Sequence, residues 1–100
     1  MARNLPLDDA TQARADVELM QSLAATHAMF GRIERAISFL HLGLWVIPRD
    51  PETLRLLAVL SYRMARYEDA HRAILDFEQS GEDLPEDLTL IRLRLAGNRR

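Results

Sequence analysis

One hundred residues make one domain with a single core, and 48% apolar residues with only six aromatics and few β-branched residues read as helix rather than sheet. The absence of cysteine excludes a disulfide framework and a thiolate metal site. A net charge of −2 selects neither nucleic acid nor any other partner class, and the thirteen basic residues are all arginine, which fits selection for bidentate ion pairing but is more cheaply explained by a GC-rich coding bias. Residues 1–7 have no apolar run of signal-peptide length, and the most apolar stretch, 36–47, is too short to span a bilayer. The expectation is a soluble, cytoplasmic protein with no membrane insertion.

In chain order the apolar spacing predicts five helices. After an N-terminal tail, 1–8, the first runs over 9–30 with Asp8 or Asp9 as N-cap, and Gly31 supplies the permissive backbone that reverses the chain. The second covers 32–47 and stops before Pro48. Asp50-Pro51 is a cap followed by a first-turn proline, so a third helix begins there and reaches about 64. The fourth occupies 67–79 and ends at Gly81. Pro85-Glu86-Asp87 opens the fifth, which frays near Gly97 and leaves a C-terminal tail, 98–100.

An offset of 34 residues places like on like. Leu23 falls on Leu57, Ala24 on Ala58, Ala36 on Ala70 and Leu40 on Ile74; further on, Pro51-Glu52 falls on Pro85-Glu86, Leu54 on Leu88 and Leu57 on Ile91. The chain reads as two helical hairpins and half of a third. Small residues at Ala24, Ala36, Ala58 and Ala70 mark the places where the helices of a hairpin cross closely.

These residues resemble the tetratricopeptide repeat: Met20-x-x-Leu23-Ala24-x-x-His27, Ala36-x-x-x-Leu40 and Pro48 in the first unit; Leu54-x-x-Leu57-Ala58-x-x-Ser61 and Ala70-x-x-x-Ile74 in the second. The resemblance covers roughly residues 17–97 and implies an all-α fold of about five antiparallel helices over 9–97. The chain departs from it where Met20 and Leu54 replace the opening aromatic, where Ala65 stands for Gly31, and where Arg92 takes the small-residue position of the third unit. Arg92 suits a terminal cap with no following helix to pack against.

The resemblance further implies that the first helix of each hairpin lines a concave groove. Its residues are Gln21, Ala25 and Ala28, then Arg55, Val59 and Tyr62, then Thr89 and Leu93. That mixed, largely apolar set suits an amphipathic helix or an extended hydrophobic segment, with Tyr62 as anchor and Arg55 as orienting charge. The alternative is that Val59 and Leu93 only close the core. On the outer side, Phe39, Leu42 and Trp45 form an apolar stripe whose equivalents in the fourth helix are Ala73, Asp76 and Gln79. A bare apolar stripe points to a protein interface, most simply a homodimer without cargo; the alternative is a cover supplied by residues 1–7.

His27, His41 and His71 lie 14 and 30 residues apart, without the short helical spacing of a metal site, and His27 fills the repeat's aromatic slot. The acidic doublets at 8–9, 68–69, 82–83 and 86–87 sit near helix starts, where the helix dipole favours them. No glycine-rich phosphate loop and no serine elbow is present. The expectation is therefore neither an enzyme nor a cofactor protein. Arg92, Arg94, Arg99 and Arg100 form the one basic cluster, read as a solvated last turn rather than a nucleic-acid site.

Phe30-Gly31-Arg32-Ile33-Glu34-Arg35-Ala36 with Leu40 and Pro48, then Ala65-Arg66-Tyr67-Glu68-Asp69-Ala70, is similar to the small tetratricopeptide chaperones of bacterial type III secretion. The Y-type export-apparatus chaperones come first and the needle-subunit chaperones second. This resemblance implies a protein-binding chaperone that keeps a secretion component soluble in the cytoplasm before export. The alternative is a general adaptor or oligomerisation module with no export role.

Overall fold

The computed structural model describes residues 8–98, and every regular element among them is a helix: α1 (Asp9–Met29), α2 (Ile33–Val46), α3 (Pro51–Arg63), α4 (Tyr67–Glu78) and α5 (Glu86–Asn98). The starts of α1 and α3 are written in their caps. The Asp8 carboxylate accepts the Thr11 N–H at 2.7 Å, and that bond holds its pKa below the ordinary aspartate value. Asp50 accepts the Thr53 N–H at 3.1 Å, with Pro51 in the first turn, where its missing N–H costs nothing.

Helices α2 and α4 start without a side-chain cap, because the turns before them tie the chain directly. In the first turn Gly31 adopts φ 79°, its N–H donates to the Ala28 carbonyl at 3.0 Å, and the Arg32 N–H donates to the His27 carbonyl at 2.8 Å. Thirty-four residues later Ala65 adopts φ 59°, its N–H donates to Tyr62 at 3.0 Å, and the Arg66 N–H donates to Ser61 at 2.8 Å. Both turns are the left-handed helix terminator that satisfies two orphan carbonyls at once. Alanine at 65 accepts a backbone conformation that glycine at 31 adopts freely.

Within each hairpin the two helices cross on small residues: Ala24, Ala36, Ala58 and Ala70 are all buried. Gly43 marks the place where three helices meet, since a Cβ there would touch Thr53 of α3 at 3.5 Å and Met20 of α1 at 3.7 Å. Around these close approaches Leu40, Leu54, Ile74 and Leu88 fill one continuous core that extends to Leu95. α3 packs on both α1 and α2, and α5 packs on both α3 and α4, so each new first helix closes the hairpin before it. The helices α1, α3 and α5 thus form a row, with α2 and α4 outside it.

Candidate protein-binding site

Hydrogen bonds join α1 to α3 and α3 to α5 from residues 34 apart, Gln21 and Arg55. The first rung is Gln21, Arg55 and Thr89, and it is polar for a structural reason. Gln21 Nε2 donates to Thr53 Oγ1 at 2.9 Å and to Asp50 Oδ2 at 3.1 Å, fastening α1 to α3. Arg55 Nη1 donates to Asp87 Oδ2 at 2.6 Å, fastening α3 to α5 from the equivalent position, while its other nitrogens hold Glu52 at 2.9 Å. The bonds to Glu52, with those to Asp87, raise the Arg55 pKa above its ordinary value. Thr89 turns its hydroxyl back to the Pro85 carbonyl at 3.0 Å.

Gln21 spends its donors on α3 and its cap, and Arg55 divides its own between Asp87 of α5 and Glu52 of its own helix, so both positions expected to face a ligand carry scaffold contacts. The sequence shows which residues share a face, but not that position 53 or 87 on the next helix would offer an acceptor. The centre of this stitching is Asp50, only 3% exposed. Besides the Gln21 and Thr53 N–H bonds it accepts Thr53 Oγ1 and Arg14 Nη2, each at 2.7 Å. Burial alone would raise its pKa, yet the hydrogen bonds from Thr53 and Arg14 outweigh that and hold the carboxyl below the ordinary aspartate value.

The remaining rungs are apolar and more open. Ala25 is exposed, Val59 is half-buried against the core, and Leu93 is 65% exposed. Val59 thus closes the core while Leu93 belongs to the surface. Ala28 and Tyr62 are half-buried, and the Tyr62 ring lies 5.5 Å from that of Tyr67 in a tilted arrangement. Met29, four residues beyond Ala25 and therefore on the same helix face, is 77% exposed and lengthens this apolar side. The four-residue step from Ala25 is the signal in the sequence that marks Met29 as part of this side.

On the outer side the stripe is re-drawn. Phe39 does not face outward: it is half-buried, with its ring stacked on His27 at a centroid distance of 5.2 Å. Its equivalent Ala73 is buried, as is Ser61, the equivalent of His27, so the second hairpin fills the same place with a smaller pair. Residues at steps of three walk back around a helix by about 60° each time, so Phe39 stands roughly 120° from Trp45 and turns toward α1. Leu42 at 50%, Trp45 at 84% and Val46 at 39% exposure remain as the outward apolar patch. Beside it lies a shallow depression of about 300 Å³ lined by His41, Leu44, Trp45 and Pro48.

The proposed cover for that patch, residues 1–7, lies outside the described residues, as do Arg99 and Arg100 of the basic cluster. Of the cluster's other members, Arg94 is exposed and Arg92 pairs with Glu78, tying α5 to α4. Among the described residues no group of three or more histidines and carboxylates gathers in a metal-holding arrangement. No helix among them is long and apolar enough to cross a membrane. Comparison with protein-family models, with curated proteins and with solved structures finds no match for this chain.

Proposed function

We propose that this chain is a tetratricopeptide-like scaffold whose work is to bind another protein. Within that class we read it as a chaperone that holds a type III secretion component in the bacterial cytoplasm before export. The observation that supports the scaffold reading best is the repetition at 34 residues. The same turn closes both hairpins, the same alanines form both seams, and the same rung fastens α1 to α3 and α3 to α5. Such an array places apolar side chains of successive first helices along one line, which suits capture of an amphipathic helix. The chaperone reading is supported by the resemblance of residues 30–36 and 65–70 and by the exposed apolar surface at Met29, Leu93 and Trp45. No catalytic group and no cofactor takes part in this function.

The experiment is affinity capture of the intact chain from its host, with the retained protein identified by mass spectrometry. A single stoichiometric partner encoded beside secretion-apparatus parts is the expected result. Recovery of the chain alone contradicts the protein-binding reading, and a stoichiometric partner unrelated to secretion leaves the scaffold and removes the export role.

A further inference from the structure

The outer faces of the two hairpins occupy equivalent positions and carry opposite charge. Leu42, Trp45 and Val46 of α2 lie between Arg35 in its first turn and Arg49 in the turn that follows it, both exposed and neither in an ion pair among the described residues. At the 34-residue offset these two arginines become Asp69 and Asp83, while Leu42 and Trp45 become Asp76 and Gln79. Arg35, Leu42 and Val46 follow one another at steps of seven and four, so they stand on one helix face, with Trp45 beside them.

That pattern decides what can cover the patch. A two-fold pairing of α2 with α2 of a second copy, run antiparallel, brings the Arg35 end of each helix to the Arg49 end of the other, so like charges meet at both ends, which is repulsive. Setting α2 on α4 of a second copy satisfies the charges, but it faces Leu42 with Asp76 and Trp45 with Gln79, leaving the apolar centre unmatched. Residues 1–7 carry Arg3 and no carboxylate, the wrong sign for a patch rimmed by arginine.

We propose that the outer face of α2 docks an amphipathic helix of another protein, with an apolar stripe over Leu42, Trp45 and Val46 and carboxylates at both ends to meet Arg35 and Arg49. α2 itself is fourteen residues long, roughly 20 Å, which fits a partner of about four turns lying between the arginine in its first turn and the one just past its end. Trp45 is the anchor, the depression beside it takes one side chain, and the arginines fix sign and orientation. The inference rests on the protein-binding reading above but uses a surface on the opposite side from the α1–α3–α5 row.

Trp45 is the only tryptophan in the chain, so its fluorescence reports on this site alone. The probes are two synthetic helical peptides with the same leucine stripe, one ending in glutamates and one in lysines. At low salt the glutamate-ended peptide is expected to shield Trp45 from acrylamide and to bind about tenfold more tightly than its lysine-ended match. Arg35→Glu with Arg49→Glu, at exposed positions outside the core, is expected to reverse that order. Equal affinities, or a preference that survives the double reversal, overturn the proposal. Trp45 already shielded in the free chain also overturns it: shielding lost on dilution identifies a second copy, and shielding that persists identifies the chain's own first seven residues. A captured natural partner that binds while Trp45 stays open to acrylamide overturns this inference and leaves the protein-binding function standing. Peptides that behave as expected when no natural partner is retained support the docking face and count against that function.

Discussion

Removal of the Asp50 carboxylate is the sharpest perturbation of the scaffold. In Asp50→Ala, α3 loses its N-cap, which costs about 1 kcal/mol. Thr53, fully buried, and Gln21, half-buried, lose an acceptor, at about 1 kcal/mol each. The Arg14 side chain is 46% exposed and returns to water, so its ion pair adds little. The sum is about 3 kcal/mol, a large part of the 5–15 kcal/mol typical of a domain, and equivalent to a fall of roughly 12–24 °C in Tm. Because the folded-state pKa of Asp50 is lowered, its contribution is fully present above the unfolded value of about 3.9 and is lost as pH falls through the folded value beneath it. Urea unfolding followed by circular dichroism at pH 7 and at pH 3 measures both effects. The parent should exceed the variant by about 3 kcal/mol at neutral pH, with the gap narrowing in acid. Equal midpoints at pH 7, or a gap that is constant into acid, would refute the reasoning.

Three further outcomes follow from the same geometry. Ala58→Leu and Ala70→Leu overpack a helix crossing with no free space and should each lower stability by about 1–3 kcal/mol in urea melts; unchanged midpoints would mean that the seam is not where the helices touch. Gly31→Ala and Ala65→Gly should have opposite signs, destabilising and stabilising respectively by about 0.5–1 kcal/mol, because both positions hold positive φ and a Cβ at 31 meets nothing within 4 Å. Calorimetric titration with the captured partner should show Tyr62→Ala weakening binding at least tenfold, by about 1.4 kcal/mol or more, while Arg94, Arg99 and Arg100 changed together to Gln leave it intact; the reverse order would mark a charge-led site.

Much of the helix plan was legible because the signals are local. Asp50-Pro51 and Gly31 fix an entry and a reversal within three or four residues, and the 34-residue offset carries the reading of Gly31 onto Ala65 despite the change of residue type. Each helix end fell within about a residue of its expected place. The site was less legible, because a residue's depth depends on which other helix arrives beside it. Gln21 and Arg55 share a face with Ala25 and Val59, and nothing in that spacing foretells the acceptors at Thr53 and Asp87. Phe39 reads as the start of a row with Leu42 and Trp45 only if steps of three run straight, whereas a helix turns a third of a circle between 39 and 45. The opposite charges at 35 and 69, and at 49 and 83, were visible in the sequence and acquire meaning once both helices are known to occupy equivalent outer positions.

The central claim is that the row of first helices receives a partner's helix, and hydrogen–deuterium exchange of the intact chain with and without its captured partner tests it most directly. Amide protection should rise in the second halves of α1, α3 and α5, around Ala25 to Met29, Val59 to Tyr62 and Leu93. Protection that leaves these three segments unchanged while the partner is demonstrably bound would contradict the groove.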